Sequence, residues 1–455
     1  MQLKLKPVLV VGSGMHVFPQ PDGQLEVVTD IQTAEDRLNA LHDQLRESAG
    51  SDVDLLEPLI VRGESDLLQL RQESCQADCI FINVTGGIWL GDLHHGHLQR
   101  LVWDLHMPVI AFSGECTPMM GLYILPVEER LRFPNVTFAM DFREVNERLR
   151  LLSVRKKLRH SKILLTGRLR RENYSWQHFP DSETTRNKLG TDLVPVSCME
   201  LLDLVKKVEE ADAEALAQKW LGGALAGGEP SPTEVREAAK MYLGLERLVG
   251  QMGAQAVSVG CLELMYECGQ APFCIALAML RDAGIPAGCE ADATATLTML
   301  VLDYLTGKSA YMGNVVRVDP ENNRVMISHG CSPTRMAGRD KPPKPYRLVH
   351  SHSFPPFSRT LEGGAGVTSY VDYDRGQEVT ITRLSGNLDR LPVTRGEIVD
   401  CRDTIADRTT ITVQVENARR FFAKAAGNHQ VVVYGDYRHE LRSLCDVLGM
   451  AFDEA

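Results

Sequence analysis

The stretch CEADATATLTMLVLDYL, residues 289–305, places two carboxylates, Glu290 and Asp292, directly before a run of apolar residues. The segment before it, ALAMLRDAGIPAG, predicts a helix that ends at a glycine and turns through Pro286 into a short strand. Glu290 therefore lies between a strand and a predicted helix over 293–305. In α/β folds, ligands bind at this carboxyl edge of the sheet, so the two carboxylates are candidate site residues.

Helix capping is the alternative explanation for Glu290 and Asp292. A carboxylate at a helix N-terminus accepts backbone N–H bonds and complements the helix dipole, which stabilises the helix by about 1 kcal/mol or less. The motif alone leaves both explanations open. Residues elsewhere in the chain are needed to distinguish a functional site from helix capping.

Length and charge exclude several classes of protein. The chain has 455 residues, and because one domain typically has about 100–200, two or three domains are expected. Lys and Arg number 49 against 60 Asp and Glu, a formal net charge of −11, and neither sign collects into a long block. This balance argues against a nucleic-acid partner.

The apolar residues and the cysteines predict a cytoplasmic protein. No segment reaches about 18 uninterrupted apolar residues, and the first residues lack the small-residue cleavage site of a signal peptide, so no membrane association is expected. The 11 cysteines are scattered without a CxxC pair, which is typical of reduced thiols in a cytoplasmic protein.

The hydrophobic pattern divides the chain into three segments. In residues 1–157 short β-branched runs alternate with amphipathic helical stretches, which predicts an open α/β domain. A second α/β domain is predicted over 158–330, with the boundary near 157 in the basic stretch VRKKLRHS that precedes a new strand. Alternating strands with Gly and Pro turns then predict a β-rich, barrel-like domain over 331–455. The predicted fold class is therefore two Rossmann-like α/β domains followed by a β-rich C-terminal domain.

Some individual helices are predicted from their periodicity and ends. An amphipathic helix is expected from about Thr33 to Arg46, and one long charged helix from Cys198 to about Leu221. Ser231 followed by Glu234 predicts a capping box at the start of the next helix. A last helix is expected near 436–449.

Four short segments resemble the signature segments of the L-fucose and L-arabinose isomerase family: CEAD, YMGN, a strand that ends in SHG, and GNHQVVVYGD. They occur in the family's order, and the predicted domain layout agrees over most of the chain. The resemblance implies a metal-dependent enzyme that exchanges aldose and ketose forms of a sugar through an enediol. It also implies a homo-oligomer, a trimer or hexamer, with sites between chains.

The resemblance also assigns metal ligands by position. The family's first metal-binding glutamate falls on Glu290 and its late histidine on His429, while His329 matches a histidine that the arabinose branch uses nearby. Mn²⁺ is the expected ion, with Mg²⁺ as the alternative, because carboxylate oxygens with one imidazole suit these ions better than zinc. Glu290 and Asp292 are the predicted catalytic residues.

One position departs from the family's pattern. The second acidic ligand, which also transfers protons, aligns with Asn314. An amide oxygen can coordinate a metal but cannot act as a base near neutral pH. Asp292 is the nearest spare carboxylate, and Glu263 is another, although an ordinary carboxylate at a helix start also explains Glu263. Asn314 in place of the acid therefore slightly favours a site rebuilt for a different reaction.

Three functions therefore stay open. The simplest is an aldose–ketose isomerase, and the second is another metal-dependent reaction on a sugar derivative, such as epimerisation or carbon–carbon cleavage. The third is a non-catalytic sugar-binding protein. Retention of Glu290, His329 and His429 together argues against the third.

Trp89 is the candidate substrate-binding aromatic residue. It lies in TGGIWLGDLHHGH, residues 85–97, where a tryptophan in a Gly-rich loop could stack on a sugar in a neighbouring subunit's site or simply cover a sheet edge. Cys331 is predicted to form a wall of the site, since it has no plausible partners for nucleophilic catalysis. Three histidines are expected at the surface or at an interface: His94, His95 and His97.

Overall fold

The computed structural model describes most of the chain. The described ranges are 1–10, 16–19, 24–28, 30–62, 64–83, 105–112, 136–167, 181–351, 365–404 and 407–455. These residues form two compact units, Met1–Lys157 and Leu158–Ala455. The division of the chain into three domains stays a prediction. No helix within the described ranges is long and apolar enough to cross a membrane.

The first unit is built on a parallel sheet. Its strands are β1 Leu3–Val10, β2 His16–Pro19, β3 Leu25–Val28, β4 Val53–Leu55, β5 Leu59–Val61, β6 Cys79–Asn83, β7 Val109–Phe112 and β8 Val136–Ala139. The sheet order is β4, β1, β6, β7, β8, with β5 also paired to β1, while β2 and β3 form a separate antiparallel pair. β6 is buried along its whole length, as expected of a strand inside a parallel sheet.

The residues described in this unit include three α-helices: α1 Ile31–Ser48, α2 Glu64–Glu73 and α3 Phe142–Arg159. α1 confirms the helix expected from about Thr33 to Arg46, and Asp30 caps its N-terminus by accepting the N–H of Thr33. A short 3-10 turn, Ser74–Gln76, follows α2.

The second unit begins with another parallel sheet. Its strands are β9 Lys162–Thr166, β10 Asp192–Val196, β11 Ala256–Val259 and β12 Ala287–Gly288, in the order β10, β9, β11, β12. The helices of this part are α4 Ser182–Leu189, α5 Cys198–Val205, α6 Glu210–Gly223, α7 Pro232–Met252, α8 Cys261–Tyr266, α9 Cys274–Asp282 and α10 Ala293–Thr306. The predicted capping box of Ser231 and Glu234 is present at the start of α7.

The single helix predicted from Cys198 to Leu221 is wrong, because the chain breaks between α5 and α6. Val205 packs against Gly244 of α7, and a Cβ added to Gly244 would overlap the Val205 side chain. Arg247 of the same helix donates a hydrogen bond to the carbonyl oxygen of Lys207, at 2.9 Å, inside the break. Tertiary packing against α7 therefore overrides the continuous helical periodicity of this segment.

The C-terminal part is a closed antiparallel barrel. The remaining strands are β13 Tyr311–Asp319, β14 Arg324–His329, β15 Tyr346–His350, β16 Val367–Val371, β17 Gln377–Thr382, β18 Arg390–Asp403, β19 Thr409–Val415, β20 His429–Tyr434 and β21 Ala451–Glu454. Six of them pair in the order β17, β20, β13, β14, β19, β18, and pairing of β18 with β17 closes the ring. Closure leaves no open sheet edge among these six strands.

The other elements of this part are short. β15 and β16 form an antiparallel pair, and β21 joins β18 in parallel. The helices among the described residues of this part are α11 Ala418–Lys424 and α12 Arg438–Leu448, and α12 confirms the helix expected near 436–449. Parallel α/β sheets followed by an antiparallel barrel confirm the predicted fold class.

A tight turn joins β12 to α10. Glu290 and Ala291 both have left-handed backbone conformations, with φ of 57° and 52°, which non-glycine residues rarely adopt. The N–H of Ala291 bonds the carbonyl of Val259, and the N–H of Asp292 bonds the carbonyl of Cys289. Strained backbone held by neighbouring strands is typical of functional sites.

Gly288, the last residue of β12, is the point where α10 comes closest to the sheet. A Cβ there would overlap the hydroxyl of Thr296 and lie 3.1 Å from the Ser258 hydroxyl. We expect Gly288→Ala to destabilise the protein by about 1–3 kcal/mol through overpacking. Gly250→Ala is the matched control, since no atom lies within 4 Å of its Cβ position in α7. It should stabilise by about 0.5–1 kcal/mol. Denaturant unfolding of both variants checks this, and equal stabilities would contradict it.

Candidate metal centre

Three side chains from distant parts of the chain converge in the second unit. His429 Nε2 lies 3.5 Å from one carboxylate oxygen of Glu290, and His329 Nε2 lies 4.0 Å from the other. One ligand atom from each residue falls within 4.8 Å of the other two. A carboxylate and two imidazoles at this spacing could hold one divalent ion.

The strand register explains why the two histidines meet. Asn314 of β13 pairs with His429 on one side and with Ser328 on the other, so β14 and β20 flank β13 at the same level. His329 follows Ser328 at the end of β14, and His429 opens β20. The imidazole rings lie 5.6 Å apart, centre to centre, at an angle of 66°.

A buried ion pair fixes the ring of His429. Its Nδ1 lies 2.8 Å from Asp292 Oδ2, and the Arg383 guanidinium contacts both oxygens of that carboxylate, at 2.6 and 3.0 Å. Arg383 also donates to the backbone carbonyls of His429 and Ala426. Asp292 and His429 are fully buried, and Arg383 is 1% exposed.

The charge state of Asp292 sets the tautomer of His429. Burial acts to raise the pKa of the Asp292 carboxyl, but Arg383 and then His429 outweigh it and hold this pKa below its usual range. An ionised Asp292 accepts the N–H of His429 Nδ1, which leaves the lone pair on Nε2, the atom that faces Glu290. A carboxylate behind a histidine in this way is the usual support of a metal-binding imidazole.

Asp292 is therefore placed differently from Glu290. It is the N-cap of α10, where its Oδ1 also accepts the N–H of Ala295 at 2.9 Å. The capping explanation is thus correct for Asp292, while Glu290 faces the two histidines. With both oxygens engaged, Asp292 is positioned to orient His429, and the catalytic role expected for it stays a prediction without support from this geometry.

His329 is held in a different way from His429. Its Nδ1 accepts a hydrogen bond from the backbone N–H of Cys331, at 3.3 Å. In a neutral ring this bond puts the proton on Nε2, which makes His329 a donor toward Glu290. His429 is thus arranged as a metal ligand, whereas His329 has to give up its Nε2 proton to become a third ligand.

A small cavity of about 50 Å³ opens beside Glu290 and His329. Its other polar lining residues are Ser351 and Asp407, and apolar side chains such as Phe273 complete the wall. The Ser351 hydroxyl is buried and has no hydrogen-bond partner within the described part of the chain. A small polar molecule could satisfy it.

No family model matches the chain. It is 26% identical over 374 residues to the sulfoquinovose isomerase of Clostridium sp. (strain MSTE9), covering 78% of this chain and 80% of that protein. This similarity agrees with the resemblance to the L-fucose and L-arabinose isomerase family, and a divergent member of that family fits it. The resemblance carried by the four short segments is confirmed.

Two further relatives match over shorter stretches. The sulfoquinovose isomerase of Priestia aryabhattai is 25% identical over 298 residues, 59% of each chain. That of Alkalicoccus urumqiensis is 23% identical over 219 residues, 46% of each chain. These two matches thus span 59% and 46% of the length of the relatives.

Asn314, the departure from the family pattern, lies opposite His429 in the barrel. Its amide oxygen accepts a hydrogen bond from the Asn428 side chain, at 2.7 Å. Its assignment as a metal ligand stays a prediction. Glu263, the other carboxylate considered from the sequence, lines a different cavity of about 420 Å³ together with Glu267 and Cys198.

Two residues that shape the site were not predicted from the sequence, and some predicted ones cannot be placed. Arg383 interrupts the alternating strand pattern EVTITRL, and a lone arginine there was the available signal. Asp407 gave no signal in the loop DTIADR.

Cys331 is buried next to Cys274 and Cys289. Four residues that the sequence analysis singled out lie outside the described ranges: Trp89, His94, His95 and His97.

Replacement of Glu290 tests the metal centre. We expect Glu290→Gln to weaken Mn²⁺ binding by roughly 100-fold or more, because the site loses its charged ligand. Glu263→Gln, at the same edge of the sheet but in the other cavity, should keep the affinity of the unaltered protein. Calorimetric titration of metal-stripped proteins measures both. Unchanged affinity in Glu290→Gln would remove Glu290 from the ligand set.

The low pKa of Asp292 predicts how stability depends on pH. Its ionised form stabilises the fold fully above the carboxyl pKa of the unfolded chain, and this stability is lost as the pH falls through the lower pKa of the folded state. Asp292→Asn should cost about 3–5 kcal/mol at pH 7, because Arg383 stays buried without its partner. The difference from the unaltered protein should shrink in acid.

Urea unfolding between pH 7 and pH 3 provides the measurement. The control is Asp203→Asn, which breaks an exposed pair with Lys206 and should change stability by less than about 1 kcal/mol. A constant difference between Asp292→Asn and the unaltered protein across this range would contradict the assignment of an ionised, stabilising Asp292.

Proposed function

We propose that this protein is a divalent-metal-dependent aldose–ketose isomerase whose substrate is a sulfonated aldohexose. The observation that carries the proposal is the convergence of Glu290, His329 and His429, with His429 fixed by a buried carboxylate. Similarity over most of the chain to a sulfoquinovose isomerase supports the same activity.

The donor set fits the ion that the family implies. Glu290 supplies a hard carboxylate oxygen and His429 an imidazole nitrogen whose lone pair faces it, with His329 as the third candidate ligand. The carboxylate oxygen suits Mn²⁺ or Mg²⁺, the ions that the resemblance implies, and two imidazoles are also typical of Fe²⁺ or Zn²⁺ sites. When bound, the ion would polarise the oxygens on C1 and C2 of the sugar.

The protein's own residues perform the remaining tasks. Asp292 and Arg383 orient the His429 ring, so the ligand needs little reorganisation on binding. Apolar side chains of the cavity wall, among them Phe273 and Leu277, exclude water from an enediol that would otherwise lose its proton to solvent. The Ser351 hydroxyl is available to bond a sugar oxygen.

The names of the relatives support the proposed substrate class. Sulfoquinovose is an aldohexose with a sulfonate on C6, and its isomerisation gives the corresponding 2-ketose. This similarity favours isomerisation over the different reaction that the sequence suggested because Asn314 replaces an acid. The homo-oligomer, the role of Trp89 and the cytoplasmic location stay predictions of the sequence.

A substrate and metal screen tests the proposal. After chelation and dialysis, Mn²⁺ should restore ketose formation from sulfoquinovose, measured by NMR. The kcat/KM should exceed that for glucose, L-fucose and L-arabinose by at least about 100-fold, since an enzyme site that bonds a polar group of its substrate rejects analogues that lack this group.

Each outcome of this screen has a separate meaning. Equal turnover of the unsulfonated sugars would overturn the proposed substrate class. Full activity after exhaustive chelation would overturn the metal requirement. Failure to convert any aldose in the presence of Mn²⁺ would overturn the isomerase.

A further inference from the structure

Aldose–ketose exchange through an enediol requires a group that moves a proton between C2 and C1 of the sugar. The family pattern places an acid at the position of Asn314, and an amide cannot take up this proton near neutral pH. An isomerase with this sequence therefore needs another proton-transferring group in the cavity, and a carboxylate is the group that the family uses for this step.

The carboxylates considered from the sequence do not meet this need. Glu290 faces both histidines with its two oxygens, as a ligand would. Asp292 is fully buried, and both its oxygens are engaged by Arg383 and by other donors. Glu263 lines the separate cavity next to Cys198.

Asp407 is placed where such a group is needed. It lines the same cavity as Glu290 and His329. Its backbone carbonyl accepts hydrogen bonds from the hydroxyls of Ser328 and Thr404, at 3.0 and 2.8 Å. Ser328 directly precedes His329, so these bonds anchor Asp407 at the end of the barrel where the two histidines lie.

The strand register fixes this position independently of the hydrogen bonds. Thr409, two residues after Asp407, pairs with His329 across β14 and β19. The side chain of Arg408, between them, is held by Glu229 and Asp403, with contacts of 2.7 Å to each. Asp407 is thus flanked by anchored residues on its C-terminal side.

We propose that Asp407 is the catalytic carboxylate that carries the proton between C2 and C1. This inference rests on the proposed isomerase function and deepens it. It assigns to Asp407 the task that Asn314 cannot perform. It also leaves Glu290 to the metal and Asp292 to the orientation of His429.

The proton transfer balances without any oxidant. Asp407 removes the hydrogen of C2 as a proton, the C2–H electron pair forms a C1–C2 double bond, and the carbonyl pair moves onto O1. The hydroxyl proton of O2 passes to O1, and the electrons left on O2 form the new carbonyl at C2. The C1–C2 pair then takes the proton back from Asp407 at C1, which yields the ketose and regenerates the carboxylate.

Replacement of Asp407 tests the assignment in the Mn²⁺-loaded protein. In Asp407→Asn, Mn²⁺ affinity should stay within about threefold of the unaltered protein. Ketose formation and exchange of the C2 hydrogen with D₂O should both fall by about 10²–10⁴-fold. Asp407→Glu should recover part of both rates. Asp372→Asn, an exposed carboxylate paired with Arg375, is the control and should change neither rate.

Chemical rescue separates proton transfer from a merely structural role. In Asp407→Ala, added formate should raise the exchange rate at least about tenfold, because a small carboxylate can occupy the vacated space and accept the proton. Absence of rescue, together with lost Mn²⁺ binding or lost folding in both variants, would make Asp407 structural and overturn the proposal.

The remaining outcomes distinguish this inference from the function on which it rests. One outcome is that the unaltered protein converts the aldose while Asp407→Asn exchanges the C2 hydrogen at a rate within tenfold of the unaltered rate. In that case the assignment of Asp407 is wrong and the isomerase function is retained. If the unaltered protein neither converts nor exchanges any aldose, both proposals are overturned.

Discussion

The buried contact between Arg383, Asp292 and His429 is the constraint on which the candidate site depends. A charge buried this deeply is costly unless it is paired and hydrogen-bonded, and Asp292 is both. Because Arg383 comes from the barrel and Asp292 from the start of α10, the same contact joins the α/β layer to the barrel within the second unit. Fold stability and the orientation of the His429 imidazole thus have one physical cause.

The turn after β12 gives different roles to Glu290 and Asp292, two carboxylates that are close in sequence. The left-handed conformations of Glu290 and Ala291 let Glu290 reach the histidines while Asp292 stays buried as a helix cap. The barrel supplies both histidines because β14 and β20 flank β13 at the level of Asn314. The site is therefore assembled by strand register and a strained turn, and long-range packing keeps both in place.

The sequence predicted this architecture well where the signal is local. Apolar strand segments, glycines at the ends of helices and strands, and the Ser231 capping box are local features, and the structure agrees with them. It failed at the break before α6, since Gly244 and Arg247 of another helix cause that break. The ion pair of Asp292 joins residues 91 positions apart, and no periodicity reports such a contact. The resemblance located Glu290 and His429, whereas Asp407 lies in a loop whose composition is ordinary.

Anomalous scattering at the manganese edge, from crystals of the Mn²⁺-loaded protein, shows directly whether Glu290 and His429 bind the ion. We expect one strong peak within about 2.5 Å of a Glu290 oxygen and of His429 Nε2, with the Asp292 carboxylate still bonded to Nδ1 of the same ring. A peak bound elsewhere, or a His429 ring turned away from Asp292 in the loaded protein, would contradict it.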